Sequence, residues 1–445
     1  MVRGWMAVLC ALALLSQSSV VFAVEKLDFD QGVDVKAALQ SARSSGSDEL
    51  PKVDPKGVSA SEASGKGKAL WTIMVFVNGK NNLSSFGVKD FNEMEAVGSS
   101  KEVNVVVELG VSGDPTKRYL VAKDDKPSQI TSVPVQDLGK VDMGDWKHLA
   151  EFGNWAKANY PAQRYMLIVW NHGSGWDKKE PQFGTRGISY DDETGNHITT
   201  QQLAQALAAM GGVDVYASDA CLMGMAEVNY EIRGQAGVII GSEETEPGDG
   251  YNYTTFLGPI IQNPSMSPEQ MGQNTVAAYQ QHYQQVGSGT TQSAVRAETM
   301  EALAGLINTW TANVMRASEK DVVKNARKKV QSYAVSDNID LVQFVDLVGA
   351  ATKDAAVKSS GQNLARFVRE EMVVANGTTG SYGNSNGVAI YLPKYSVSSA
   401  YADLAWAKAC NWDDFVAWFV KVYKEGSDDN AGGGGGGWDD NWKKT

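Results

Sequence analysis

Cysteine is scarce in this chain: three residues in 445, with Cys10 inside an apolar leader. So few thiols cannot staple a protein of this size, and Cys221 and Cys410 are expected to be free. Histidine is nearly as scarce, at four residues. His148, His197 and His282 hold no metal-ligand spacing with cysteine or one another, which argues against zinc. Basic charge is short too, with 40 Lys and Arg against 52 Asp and Glu and a net charge of −12. Without a basic stripe to track phosphates, nucleic acid is not an expected partner. The cluster Lys324, Arg327, Lys328 and Lys329 reads as the solvated face of a helix. Past Ala23 no apolar run reaches the roughly 18 residues of a membrane span, so no stable membrane insertion is expected. No internal repeat is present.

What is there begins with an export signal over residues 1–23. Arg3 supplies its positive end, Trp5 to Leu15 its apolar stretch, and Val21-Phe22-Ala23 a small-residue cleavage site. An extracellular or periplasmic location follows. Residues 24–66, rich in Ser, Gly, Lys and Asp, form a linker or pro-segment. From 67 to 259 apolar strand-like runs (70–77, 103–109, 118–122, 165–170, 213–217, 238–241) alternate with helical patterns (86–97, 146–156, 200–210, 222–232). That alternation predicts an α/β fold with a mainly parallel sheet covered on both faces. Residues 260–425 read as a largely helical portion with one late strand at 387–392, which is expected to return to the main sheet. Residues 426–445, with six consecutive glycines, are flexible linker chemistry.

Two segments carry the chemistry. Leu167-Ile168-Val169-Trp170 runs into Asn171-His172-Gly173-Ser174-Gly175-Trp176, and Val213-Asp214-Val215-Tyr216-Ala217 runs into Ser218-Asp219-Ala220-Cys221-Leu222-Met223. A helix between two strands allows them to lie parallel and adjacent by a right-handed crossover. Loops at the carboxyl ends of such strands form the ligand crevice, so an imidazole and a thiol meet at one sheet edge. A thiolate is a strong nucleophile whose pKa falls at a helix N-terminus, and Cys221 is expected at the start of a helix beginning near Leu222. Gly173 lets a backbone N–H approach a developing oxyanion, with the N–H of Cys221 as second donor.

These residues resemble the clostripain family of cysteine peptidases, related in fold to caspases, legumain and gingipains. The resemblance rests on Trp71-Thr72-Ile73-Met74-Val75, Asn81-Asn82-Leu83, Asn92-Glu93-Met94-Glu95, the His172 and Cys221 segments, Glu243 through Tyr251, and Gly387 through Pro393. It implies a caspase-like α/β/α sandwich and a thiol protease with a dyad, His172 as acid/base and Cys221 as nucleophile, no third member being required. It also implies an acidic S1 pocket that selects Arg or Lys at P1 of a protein or peptide substrate. Asp219 matches the family's acid, and Asp249 is the second candidate. A zymogen that cuts itself at a basic residue between His172 and Cys221 is implied as well, with Arg186 first and Lys179 second. A monomer is expected. No cofactor is required, although the resemblance leaves room for calcium. Lys80, where relatives carry an acid, puts that acid's role in doubt. Asp191, Asp192 and Glu193 lack EF-hand spacing and read as a solvated turn. Gly383-Asn384-Ser385-Asn386-Gly387 matches a serine-hydrolase elbow only by accident, since a strand follows it. A non-catalytic protein of the same fold, holding basic peptides in an acidic cleft, is the alternative these residues leave open.

Overall fold

The computed structural model describes residues 68–176 and 187–425. The leader, residues 24–66, Lys179, Arg186 and the glycine-rich tail lie outside them. Strand and helix alternate as β1 (Ala69–Gly79), α1 (Ser84–Glu95), β2 (Val103–Val111), β3 (Thr116–Leu120), β4 (Pro134–Gly139), α2 (Trp146–Asn159) and β5 (Ala162–Trp170). A hairpin of β6 (Ile188–Asp191) and β7 (Asn196–Ile198) follows, then α3 (Thr200–Ala209), β8 (Val213–Asp219), α4 (Ala226–Ile232) and β9 (Ala236–Gly241). The second half holds α5 (Tyr253–Gln262), α6 (Pro268–Val286), β10 (Thr291–Arg296), α7 (Met300–Ala317), α8 (Lys320–Lys329) and β11 (Asn338–Asp340). It ends with α9 (Leu341–Ala351), α10 (Ala355–Phe367), β12 (Val373–Thr378), β13 (Ala389–Tyr391), α11 (Ala405–Ala409) and α12 (Trp412–Lys424).

One nine-stranded sheet organises these elements in the order β12-β10-β9-β8-β5-β1-β2-β3-β4. Its five central strands are parallel and its outer pairs antiparallel. Side chains alternate between the two faces of a strand, and here both faces are apolar. Trp71, Ile73, Val75 and Val77 of β1 pack under α1, α5 and α6, while Met74 and Phe76 pack under α2, α3 and the C-terminal helices. That double burial is why the central strands are continuous apolar runs rather than alternating ones. Local sequence sets several helix starts. Thr199 with Gln202 and Ser267 with Gln270 form capping boxes at α3 and α6, satisfying amides the helix leaves open.

Three expectations change. The strand near 387–392 does not return to the main sheet: β13 pairs with β11 in a separate two-stranded ladder. The sheet's far edge comes instead from β10 and β12, within the portion read as helical, so the sheet extends past residue 260. Both are short, and their partly polar sequences carry little periodic signal. The helix expected from Leu222 begins at Ala226, so Cys221 lies in a turn and gains no helix N-terminus.

Charge is buried on the α2 side of the sheet. Arg118 on β3 donates to Glu108 on β2 at 2.7 Å and to Glu151 on α2, and lies over the Trp155 ring at 4.6 Å. His148 Nε2 meets the other Glu108 oxygen at 2.6 Å. Burial alone lowers the His148 pKa, but the hydrogen bond and charge of Glu108 outweigh it and raise the value. A raised histidine contributes stability in full below its unfolded value near 6.5 and loses it as pH climbs through the folded value. Glu108→Gln breaks a buried ion network and is expected to cost about 3 kcal/mol. Urea titrations at pH 6 and 8.5 check this, since the His148 share of the difference between the two pH values disappears in the variant.

Candidate active site

The register of two central strands builds the site. Trp170 of β5 lies opposite Asp219 of β8, so His172 and Cys221 each stand two residues beyond a paired position. The Asn171 N–H donates to Asp219 O at 3.2 Å and carries the pairing past the strand end. Gly173 then presses on the backbone of Cys221. A Cβ there would sit 2.4 Å from Cys221 O and 3.1 Å from Cys221 N, so only glycine fits. The predicted oxyanion pair, Gly173 and Cys221, is therefore adjacent.

Cys221 lies in a tight turn. Leu222, the next residue, has φ 60°, a left-handed conformation that a side chain adopts at a cost of about 1–2 kcal/mol. Backbone bonds hold the turn there: Leu222 N to Glu244 O at 3.1 Å, Gly224 N to Ser242 O at 2.7 Å, and Ala389 N to Gly224 O at 2.9 Å. The Glu246 N–H donates to Cys221 Sγ at 3.2 Å. An N–H on the sulfur stabilises its anionic form, a service the missing helix terminus does not perform. Neither Cys221 nor Cys410 is held in a disulfide. Cys410 is held in the C-terminal portion, with its thiol pushed up to about 12, chiefly by burial.

His172 Nε2 contacts Asn82 Oδ1 at 2.7 Å. An amide oxygen only accepts, so Nε2 carries the hydrogen and Nδ1 is the basic nitrogen. Asn82 was visible in the sequence only as part of the Asn81-Asn82-Leu83 segment, without a role. Burial pushes the His172 pKa down to about 4, so the resting imidazole is neutral at pH 7. Both reactive side chains are nearly closed off, at 5% exposure for His172 and 2% for Cys221.

Asp219 and Asp249 part company. Asp219 is buried under the sheet end, accepting from Tyr253 OH at 2.9 Å and Tyr251 N at 3.2 Å. Gly250 has φ 52°, and a Cβ there would come within 2.7 Å of Asp219 Oδ1. Asp249, one residue away, points outward and pairs with Lys89 at 2.9 Å. It therefore lies at the surface and not beside the buried Asp219. Glu246, to which the sequence assigns no role, is buried as well; burial first and then the charge of Asp219 hold its carboxyl well above the usual carboxylate range.

The oxygens around Lys80 do not fit a divalent ion. Lys80 is buried, and its ammonium donates to Val141 O at 2.9 Å and Glu193 Oε2 at 3.1 Å. A lysine already occupies the oxygens a cation would need. Asp191 is engaged by the amides of Met143, Glu193 and Thr194 and serves as a turn anchor. Among the described residues no group of three or more His, Cys, Asp or Glu is arranged to hold a metal.

Comparison with known proteins places this geometry. Residues 75–422 match the model of the clostripain family. Clostripain of Hathewaya histolytica is 27% identical over 219 residues, and the match spans 42% of that relative's length. In fold, the chain is similar to a secreted C11 cysteine protease from Bacteroides thetaiotaomicron, solved with an irreversible peptide inhibitor. That pair has a TM-score of 0.60 and 20% identity over 78% of this chain and 100% of the other. An inactive zymogen C11 protease from Parabacteroides distasonis gives 0.60 and 21%, over 77% and 98%.

Two substitutions test the geometry. Gly173→Ala forces Cys221 out of place and is expected to lower kcat/KM on peptide substrates at least about a hundredfold. Asn82→Ala frees the imidazole tautomer and is expected to lower kcat about tenfold or more, with KM little changed. Steady-state kinetics, with circular dichroism to verify folding, measure both.

Proposed function

This chain belongs to the clostripain family and is a cysteine endopeptidase, and we propose that Cys221 is its nucleophile, His172 its acid and base, and Arg or Lys its P1 preference. The observation that carries this is the β5–β8 register, which gives His172 and Cys221 equal offsets from one paired position. Because the imidazole starts neutral, it takes the thiol proton on Nδ1 as sulfur attacks the scissile carbonyl. The Nε2–H bond to Asn82 selects the tautomer in which Nδ1 carries no hydrogen. The Gly173 and Cys221 N–H groups face the oxyanion. The imidazolium then protonates the leaving amine, and the S–C bond of the thioester is broken by water that His172 deprotonates.

Selection of a basic side chain falls to Asp219, a buried carboxylate that pairs well with a guanidinium. The low exposure of both reactive groups fits a latent precursor, opened by a cut after Arg186 or, second, Lys179. Export as a monomer to an extracellular or periplasmic space accords with the leader-like residues 1–23. Calcium is not needed in this reading, because Lys80 supplies the positive charge between Val141 and Glu193.

The mature protein is expected to hydrolyse an Arg-ended fluorogenic peptide undiminished by a chelator. Cys221→Ala is expected to lose at least about 10⁴-fold of that rate, and Asp219→Asn about a hundredfold of kcat/KM on Arg over a neutral P1. Equal rates on Arg and neutral P1 would remove the basic-pocket reading. Mass spectrometry of active protein is expected to find chains ending at Arg186 or Lys179; intact chain alone in active samples would remove self-processing.

A further inference from the structure

Asn82, which bonds the imidazole, is itself exposed, so packing does not hold it in place. Its neighbours do. Lys80, Asn81 and Leu83 are all buried, Lys80 to 1% exposure. An ammonium is a costly group to bury, since its desolvation must be offset by well-placed oxygens. Gly110 on β2 leaves room for the lysine stem: a Cβ there would come within 3.2 Å of Lys80 Cε.

The Lys80 ammonium joins segments far apart in the chain. It donates to Val141 O, ahead of α2, and to Glu193 Oε2 in the turn between β6 and β7. The other Glu193 oxygen accepts from the Gly113 N–H, between β2 and β3, at 2.6 Å. Lys80 O in turn accepts from the Asp192 N–H at 2.9 Å, so backbone and side chain of Lys80 both grip the hairpin. Tyr190, on β6, carries the connection onward. Its carbonyl accepts from Asn81 Nδ2 at 2.8 Å and Asn78 Nδ2 at 3.1 Å, and its N–H donates to Asn171 Oδ1 at 2.7 Å. Asn171 Nδ2 donates back to Asn78 O. One hairpin therefore holds both the turn that carries Asn82 and the residue before His172. Ser189 beside Tyr190 has φ 62°, a strained backbone that persists only where its surroundings fix it.

We propose that Lys80 is a positioning residue for the reaction: its ammonium latches the hairpin to the 79–83 turn, and this sets Asn82 against His172 Nε2. The proposal rests on the reading of His172 as acid and base given above. Its effect passes through Asn82, which selects the tautomer that leaves Nδ1 bare. A methionine would fill the same space but leave Val141 O and Glu193 without their cation. The turn could then shift against the hairpin, and a shift of about 1 Å is enough to lose a hydrogen bond.

Nitrogen-15 NMR of the histidine-labelled full chain reads the tautomer, with Cys221→Ala added to prevent self-cutting and His172→Ala used to assign the signal. Without further substitution Nε2 is expected to carry the hydrogen, and Lys80→Met is expected to mix the two tautomers, as Asn82→Ala does. In steady-state kinetics on a peptide substrate, Lys80→Met is expected to lower kcat about tenfold with KM little changed. Combined with Asn82→Ala it is expected to lower kcat no further than Asn82→Ala alone, because both act on one bond. A folded Lys80→Met with the tautomer unchanged, or losses that multiply in the double variant, overturns the proposal. Glu193→Ala opens the same latch from the exposed side and decides the matter if Lys80→Met does not fold: an unchanged tautomer there overturns the proposal too. A His172→Ala protein that keeps its rate overturns the acid/base reading and this proposal together.

Discussion

The parallel pairing of β5 with β8 is the constraint on which the rest depends. Trp170 opposite Asp219 sets three things at once. It aligns His172 with Cys221, it brings Gly173 against the backbone of Cys221, and it turns the Asp219 carboxyl under the sheet end. A one-residue slip would send every side chain of the strand to the opposite face. It would replace a buried Met166, Ile168 and Trp170 face with residues shaped for the other layer, so two-sided burial enforces the register that the chemistry uses.

Around this register the chain concentrates cost. Leu222 holds a left-handed backbone, Asp219 and Glu246 are desolvated together, and His172 is kept from protonating by burial. Strain and unpaired charge of this kind persist only where the surroundings over-determine them. Here the surroundings are the 242–246 loop, the β13 segment whose Ala389 N–H donates to Gly224 in the Cys221 turn, and the tyrosines of α5 and α6. Residues far along the chain therefore fix the geometry of the Cys221 turn.

Much of the core was legible beforehand. The strands at 70–77, 103–109, 165–170, 213–217 and 238–241 each reappear, because continuous apolar runs follow directly from burial on both faces. The edge strands were not: β4, β10 and β12 are partly polar, and tertiary pairing rather than periodicity makes them strands. The late strand misled for a related reason. β13 is fully buried and apolar, but burial does not say against which sheet.

Residue order alone places a histidine and a cysteine just past two apolar strands, with a glycine directly after the histidine. Those depend on local chain chemistry and on periodicity. Which groups meet came from tertiary structure: Asn82 on the imidazole, a backbone amide and not a helix terminus on the sulfur, and Asp249 turned out to Lys89 while Asp219 is buried. Each of these depends on which oxygen or N–H a fold brings within about 3 Å of another, across as many as 90 residues of chain, and no spacing rule along the sequence encodes that.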